Sequence, residues 1–191
     1  MISRVSLVFL MILPALSFAE NTSGVFIGAG LGNDFLSLST QGSEYSKFSN
    51  QGYIVEAGVQ FGFGGLMSAE FGESTSVNKI TSQTFMETGK MNFYSAKIGY
   101  NFGQIAIGAG YRKNNIVLKS LSLVNSNYLE STYAGGSPLG YINLNFHSNK
   151  FMRSTAEAQF LSAKLISDNL DLPEATMNSV LFSLKIFIFF D

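Results

Sequence analysis

The sequence predicts an all-β fold, an eight-stranded antiparallel up-and-down transmembrane β-barrel. Three observations support this prediction: a secretory leader, eight segments in which apolar and polar residues alternate, and connections that are alternately short and long. Alternation with a period of two places apolar side chains on one face of a strand and polar side chains on the other. A wall between lipid and a polar interior requires this arrangement.

The first 19 residues have the pattern of a cleaved signal peptide. A short basic start that includes Arg4 precedes an apolar run over residues 5–16, and residues 17–19 (Ser-Phe-Ala) form a small-x-small cleavage box. About a dozen apolar residues are too few for a helical membrane anchor, which needs about 20. We therefore predict cleavage after this box and an exported barrel domain over residues 20–191.

The composition suits a protein whose surroundings are partly lipid. Only 13% of the 191 residues are charged, and the chain has 19 Gly, 18 Phe and 8 Tyr. Soluble domains carry about 25% charged residues. Removal of Arg4 with the leader leaves 11 Lys+Arg against 13 Asp+Glu, which does not favour a nucleic-acid partner. The absence of cysteine rules out a disulfide framework and a thiolate site.

Each of the eight segments carries one apolar row. Seven rows precede the C-terminal segment: Val25, Ile27, Ala29 and Leu31; Tyr53, Val55, Ala57, Val59 and Phe61; Met67, Ala69 and Phe71; Tyr94, Ala96, Ile98, Tyr100 and Phe102; Ile105, Ile107, Ala109 and Tyr111; Ile142, Leu144 and Phe146; Ala156, Ala158 and Phe160. Small or polar residues mostly fill the intervening positions, so each segment has a face suited to lipid.

The C-terminal segment has the clearest pattern. Its apolar row is Phe182, Leu184, Ile186, Ile188 and Phe190. The opposite face carries Ser183 and Lys185. A lysine amid so much hydrocarbon is compatible with a membrane strand only if its face meets a polar interior. To close the barrel, this row is expected to lie beside Val25 and Ile27 of the first strand.

The connections between segments alternate in length. Tight turns are predicted at residues 63–65, 102–103 and 148–150, and long polar loops at about 39–51, 77–89, 119–137 and 167–176. The tight turns and both termini are expected at the periplasmic end, with the long loops outside the cell. The third long loop is partly apolar, which leaves two interpretations. It is either a partner-binding loop or a continuation of strands five and six above the membrane.

Six charged residues fall on inward positions, three acidic and three basic: Glu56, Glu70, Glu157, Lys97, Arg112 and Lys185. A buried unpaired charge costs several kcal/mol, so we expect these residues to pair. Inward glycines are expected to leave volume for the long basic side chains: Gly58, Gly72, Gly99, Gly108 and Gly110. Because eight strands enclose an interior just wide enough to be filled, we predict a plug. A gated ion path is the alternative.

The whole mature region resembles the small eight-stranded outer-membrane barrels of the OmpA, OmpX and opacity-protein type. The alternating rows and the C-terminal strand carry this resemblance, together with the aromatic belt candidates Tyr53, Phe61, Tyr100, Phe102 and Tyr111. It implies an outer-membrane location and contact with outer-membrane lipid and lipopolysaccharide. In that family the barrel-assembly machinery reads a terminal Phe that is preceded by apolar residues at every second position. Phe190 and its row match this signal, although Asp191 displaces the carboxylate by one residue.

Three motifs that suggest binding or catalysis have simpler explanations. The segment 28–32 (Gly-Ala-Gly-Leu-Gly) lacks the G-x-G-x-x-G spacing and the following helix of a dinucleotide site. Residues 147–149 (His-Ser-Asn) lack the intervening residue of the His-x-Ser-Asn motif of lipid A deacylases, so the first two side chains point to opposite strand faces. Asp168, Asp171 and Glu174 are oxygen ligands of the kind that Ca²⁺ takes, but a solvated acidic loop explains them better.

The predicted function is that of an integral outer-membrane barrel with a structural role in the envelope and surface-exposed loops. We predict no channel or catalytic activity, no cofactor and no metal site. The alternative is a surface adhesin or host-interaction protein that binds a surface ligand through its long loops. A lipid A-modifying enzyme is the least favoured hypothesis. The chemistry of the loops is the feature that separates the first two.

Overall fold

The computed structural model describes residues 23–40, 43–82, 86–121, 128–169 and 174–190. The predicted leader over residues 1–19 and Asp191 lie outside these residues. Within them the chain contains no helix that is long and apolar enough to cross a membrane.

The described residues fold into eight strands that run up and down in chain order. They are β1 (Gly24–Thr40), β2 (Ser43–Gln60), β3 (Gly65–Ser82), β4 (Met86–Asn101), β5 (Ile105–Leu121), β6 (Tyr128–Ser148), β7 (Met152–Ser167) and β8 (Ala175–Phe190). Each strand pairs antiparallel with the next, and β8 pairs with β1 to close the barrel. The predicted fold class is confirmed.

The register at the closing seam joins the first and last apolar rows. Val25 pairs with Phe190, and Ile27 pairs with Ile188. Closure matters because an unpaired strand edge within hydrocarbon leaves backbone groups without hydrogen bonds, at several kcal/mol each. The expected placement of the C-terminal row beside β1 is therefore correct.

The three tight turns lie at one end of the barrel. Gly64 and Gly103 adopt positive φ angles of 98° and 94°, a conformation that glycine reaches without steric cost. The Gly64 amide donates to the carbonyl of Phe61 at 2.8 Å, and the Gly103 amide donates to Asn101 Oδ1 at 3.0 Å. These bonds fix the β2–β3 and β4–β5 hairpins at the end that holds both termini.

Three of the four predicted long loops are wrong in extent, because the strands continue through most of them, whereas the fourth, predicted at about residues 167–176, agrees with the connection between Ser167 and Ala175. β2 already begins at Ser43, and β3 continues to Ser82. β5 reaches Leu121 and β6 begins at Tyr128, so extension above the membrane is the correct interpretation of the third loop. The remaining connections, residues 41–42, 83–85, 122–127 and 170–173, lie outside the described residues. Ser, Thr and Asn in these segments suggested loops, but they also suit the wet face of a paired strand.

The barrel has two zones of opposite polarity. In the membrane zone, next to the tight turns, apolar rows face outward and most polar side chains face inward. In the outer zone, formed by the opposite strand ends, the buried inward residues are mainly apolar: Leu36, Leu38, Phe48, Met91, Ile116, Tyr133, Ala163, Leu165, Ala175 and Met177. Its outward residues are mainly polar: Ser37, Ser39, Lys47, Ser49, Gln51, Thr75, Lys90, Asn92, Lys113, Asn115, Glu130, Thr132, Ser162, Lys164, Thr176 and Asn178.

Candidate functional site

Five charged side chains meet inside the membrane zone and form an ionic cluster. Its members are Glu56 on β2, Glu70 on β3, Lys97 on β4, Glu157 on β7 and Lys185 on β8, each at most 3% exposed. Every second residue of a strand points inward, so one charged residue from each of five strands reaches the barrel axis. Five of the six charges predicted for the interior are therefore brought together.

Each ammonium group of the cluster contacts all three carboxylates. Lys97 Nζ lies 2.9 Å from Glu56 Oε1, 2.9 Å from Glu70 Oε2 and 3.0 Å from Glu157 Oε2. Lys185 Nζ lies 2.8 Å from Glu56 Oε2 and also contacts Glu70 Oε2 and Glu157 Oε1. An ammonium group has three protons, so each proton has a different carboxylate as its acceptor. The cluster is a closed network in which two cations bridge three anions.

Neutral side chains complete the coordination of the carboxylates. Gln159 Nε2 donates to Glu70 Oε1 at 2.8 Å and to Glu157 Oε1 at 2.7 Å. Ser68 Oγ donates to Glu56 Oε1 at 2.6 Å. Buried charges are tolerated when their remaining lone pairs are hydrogen-bonded, and these contacts supply that condition. The three carboxylates are therefore paired and hydrogen-bonded, as a structural plug requires.

The expected pairing of three acids with three bases is corrected at Arg112. Its Nη2 lies 2.7 Å from Asp34 Oδ2, away from the cluster, and its Nε donates to Asn114 Oδ1 at 2.8 Å. The guanidinium carbon also lies 3.8 Å from the centre of the Phe93 ring, a cation–π contact. Arg112 therefore forms a second ion pair with an acid that the sequence interpretation did not include.

The sequence interpretation missed two inward charges because it made strands too short. Asp34 lies on the inward face of β1 beyond Leu31, where the predicted apolar row ended, and Arg153 lies on the inward face of β7 before Ala156, where the predicted row began. Arg153 Nη1 donates to Gln60 Oε1 at 2.6 Å, and its guanidinium lies 4.8 Å from the Phe189 ring. The alternation of inward and outward positions along each strand was the signal that could have identified both residues. Among the described residues, four acids then balance four bases in the buried interior.

The inward glycines mostly accommodate aromatic rings. A Cβ atom on Gly72 would lie 2.2 Å from the Phe93 ring, and one on Gly108 would lie 2.4 Å from the Tyr141 ring. Gly58 faces the Phe26 ring in the same way. The expectation that the glycines make room for basic side chains is thus wrong at these positions. Flat rings packed on bare backbone occupy the space that a Cβ atom would take at these positions.

Interior space is scarce. A cavity between Glu56 and Arg153 measures about 20 Å³, and another beside Asp34 and Ser74 measures about 10 Å³. A cavity of this size holds at most about one water molecule. The interior volumes therefore agree with a filled barrel.

The cluster also contains three acidic residues that lie close enough together to share a metal ion. Carboxylate oxygens of Glu56, Glu70 and Glu157 lie within 4.8 Å of one another. A divalent cation prefers such oxygen ligands. However, the ammonium groups of Lys97 and Lys185 already contact all three carboxylates. A metal ion would have to displace a lysine that these carboxylates hold.

The outward aromatic residues form girdles at both edges of the apolar belt. The belt candidates Tyr53, Phe61, Tyr100, Phe102 and Tyr111 are all exposed on the outside of the barrel. The rings of Tyr100 and Phe102 lie 4.8 Å apart next to a tight turn. The C-terminal row is outward and exposed over its whole length: Phe182, Leu184, Ile186, Ile188 and Phe190. Its face is therefore available to lipid, while its role as an assembly signal stays a prediction.

The motifs that were set aside occupy ordinary positions in the barrel. Residues 28–32 lie within β1. His147 pairs with Ser154 at the end of β6, and its side chain lies outside the described residues. Asp168 Oδ1 accepts a hydrogen bond from the backbone amide of Thr132 at 2.9 Å. Glu174 is exposed, and Asp171 lies outside the described residues.

Comparisons with known proteins show the fold at low sequence identity. No protein-family model and no curated protein matches the chain. Neisserial surface protein A (NspA) superposes with a TM-score of 0.55 at 12% identity, over 88% of this chain and 98% of NspA. The attachment invasion locus protein Ail of Yersinia pestis, in complex with the heparin analogue sucrose octasulfate, superposes with a TM-score of 0.51 at 11% identity, over 87% of this chain and 99% of Ail. OprG from Pseudomonas aeruginosa superposes with a TM-score of 0.52 at 8% identity, over 90% of this chain and 98% of OprG.

Proposed function

We propose that this chain, an outer-membrane protein with the fold of the small eight-stranded barrels, is a closed structural element of the cell envelope. It neither conducts ions nor catalyses a reaction. The observation that carries this proposal is the filled interior, which is closed at two successive levels.

The first level is the ionic cluster, and the second is the apolar interior of the outer zone. An ion that entered from the periplasmic end would have to separate ammonium groups from carboxylates that are already satisfied. It would then meet Leu38, Met91 and Met177, which are almost completely buried. The thioether sulfurs of the two methionines are the polar atoms of these three side chains, and the sulfur of Met91 already contacts Arg112. Moving an ion into such surroundings costs many kcal/mol. Both levels support a barrel that does not conduct.

The same contacts support a role without catalysis. The interior carboxylates accept hydrogen bonds from Lys97, Lys185 and Gln159. Because they share these donors and are buried, they are not accessible to a substrate. A general acid or base must instead reach the reacting group within hydrogen-bond distance.

Planar-bilayer recording tests the closed barrel. The wild-type chain is expected to give no steady single-channel current after insertion. Flotation of the same preparation with lipid vesicles checks that the chain has inserted. Stable wild-type currents on the scale of a porin would contradict the proposal.

A second candidate function is surface binding through the outer zone. The strands contain 16 to 21 residues, whereas about 9 to 11 residues cross a bilayer. The excess projects a paired, polar surface that exposes Lys113 and Lys164. Ail holds a sulfated heparin analogue, and lysines of this kind suit such a ligand.

Cell binding to immobilised heparin tests the second function. Lys113→Glu together with Lys164→Glu is expected to abolish binding that depends on this chain. The matched control is Lys150→Glu, because Lys150 lies at a tight turn on the periplasmic end. Equal binding of both variants would exclude these lysines as the site.

A further inference from the structure

A groove on the outer wall of the barrel crosses β7, β8, β1 and β2. Its volume is about 820 Å³, within the range of about 300–1,000 Å³ that is usual for ligand sites. Its walls include Leu31, Tyr53, Phe182 and Leu184, and the small side chain of Ala156 gives it depth. Ala156 pairs with Leu184, Leu184 with Leu31, and Leu31 with Tyr53, so the groove follows one row across four strands.

One end of the groove carries two amide side chains, at the point where its apolar surface meets the polar surface of the outer zone. Asn33 and Gln51 pair across β1 and β2, and Asn33 pairs with Phe182 on its other side. Ser49 Oγ donates to Asn33 Oδ1 at 2.9 Å. In the described part of the chain, no side chain bonds Asn33 Nδ2 or the amide of Gln51. Amides beside hydrocarbon cost free energy unless a partner satisfies them.

The position of the groove favours membrane lipid as its occupant. Its outward wall residues lie in the half of the membrane zone nearer the outer zone, and Gln51 already belongs to the outer zone. Glu157 also borders the groove but points into the ionic cluster, so no charged side chain is offered to the occupant. An uncharged, mostly apolar groove with amides at one end suits an acyl chain and the polar link that joins it to a head group.

We propose that the groove binds lipid A through an amide-linked hydroxyacyl chain, with Asn33 and Gln51 bonded to the link. Lipid A forms the outer leaflet, on the side of the membrane zone where the groove lies. An amide link and a hydroxyl group both donate and accept hydrogen bonds, as the Asn and Gln side chains do. The ester links of phospholipids only accept. This proposal rests on the outer-membrane location and adds the lipid partner to it.

Photolabelling in nanodiscs tests the groove. The folded chain is placed in phosphatidylcholine nanodiscs with a small fraction of one of two probes. One probe is lipid A with a diazirine in an amide-linked chain, and the other is phosphatidylethanolamine with a diazirine in an ester-linked chain. Lipid A adducts are expected to concentrate near Leu31, Ala156 and Phe182 and to be sparse near Ile98 and Ile107 on the opposite wall.

Two variants and a matched control define the outcome. Ala156→Phe fills the groove and is expected to reduce its lipid A labelling to the level of the opposite wall, whereas Ala109→Phe, an outward substitution on β5, should leave it unchanged. Asn33→Leu removes about one hydrogen bond and should lower the preference for lipid A about fivefold. Asn33→Leu also keeps the test decisive if Ala156→Phe does not fold.

Three results would overturn the proposal. They are equal labelling by both probes, labelling that folded Ala156→Phe does not reduce, and crosslinks to a second copy of the chain in place of lipid. Migration in cold and boiled SDS is recorded for every sample. A wild-type chain without a compact, heat-sensitive form would instead contradict the barrel and the closed-barrel function.

Discussion

The membrane zone and the outer zone use the same strands with opposite polarity. In the membrane zone, Leu31 and Leu184 face outward and are 73% and 63% exposed, while charged residues fill the inside. In the outer zone, Leu38 and Met177 are buried inside, and Lys113 faces outward. One strand, β1, therefore reverses its pattern along its length while it stays paired with both β2 and β8, with one shift of register against β2 between Leu38 and Ser39.

The difference shows that the outer solvent determines how each zone is stabilised. Lipid is as apolar as leucine, so turning a leucine inward gains little in the membrane zone, and hydrogen bonds and ion pairs hold that interior. Water surrounds the outer zone, so apolar burial stabilises it as it stabilises a soluble barrel, by about 25 cal/mol per Å² of apolar surface. The two zones should thus respond differently to substitutions.

The largest expected effect is the loss of one cation from the ionic cluster. Lys185→Met leaves three buried carboxylates with a single ammonium group, and we expect a loss of about 3–5 kcal/mol in the free energy of unfolding. Urea titration in detergent measures it, with Lys150→Met at an exposed turn as the control. Adding Glu70→Gln should recover part of the loss. Unchanged stability of Lys185→Met would show that water reaches the cluster.

The same truncation should cost much more stability in the outer zone than in the membrane zone. Leu38→Ala in the outer zone creates a cavity and should cost about 3 kcal/mol. Leu184→Ala in the membrane zone faces lipid and should cost less than about 1 kcal/mol, because lipid refills the space. Urea titration of the two variants side by side checks this contrast. Equal losses would mean that the two zones are not stabilised by different forces.

The pair of Asp34 and Arg112 joins the two zones. A double-mutant cycle with Asp34→Asn and Arg112→Met should give a coupling energy of about 1–3 kcal/mol, since the two side chains share a buried contact. The same cycle with Asp34 and Lys185, which belong to separate contacts, is the control. A coupling near zero for the first cycle would place Arg112 with another partner.

Charge on the C-terminal row separates assembly from stability. We propose that Phe190 is part of the signal for the barrel-assembly machinery, so Phe190→Asp should lower the outer-membrane level in cells more than it lowers stability after refolding in detergent. A charge near an interface costs only about 0–1 kcal/mol. Ile186→Asp, nearer the middle of the row, should affect both. Cell fractionation and urea titration measure the two quantities, and normal outer-membrane levels of both variants would contradict the assignment.

The smallest expected effect concerns an exposed ion pair. Lys90 Nζ lies 2.9 Å from Glu73 Oε1 in the outer zone, and the hydrogen bond to Glu73 raises the pKa of Lys90 above its usual 10.5. A raised pKa means that the contribution is present at neutral pH and is lost as the pH rises above that value. Because solvent and salt screen the pair, Lys90→Met should not change the unfolding midpoint measurably. A clear shift would show that the pair is shielded from water.

The amino-acid sequence by itself determined the alternation, the hairpins and the outward rows. Each of these is local: the period of two places Ile186 and Lys185 on opposite faces whatever the rest of the chain does, and Gly64 and Gly103 permit the tight turns. Burial of Glu56, Glu70 and Lys97 followed from the same parity. The polar composition of residues 43–51, however, concealed a strand, because polar side chains suit both a loop and the wet face of a sheet.

Only the tertiary structure decided which inward side chains meet. Lys97 and Glu157 come from β4 and β7, which are not neighbours, so their contact depends on the tilt of the strands and the stagger of the whole barrel. The pairing of Arg112 with Asp34 has the same origin. The outer groove requires four strands in one register. The face on which a residue lies is a property of a single strand, whereas contact across the barrel is a property of all eight strands together.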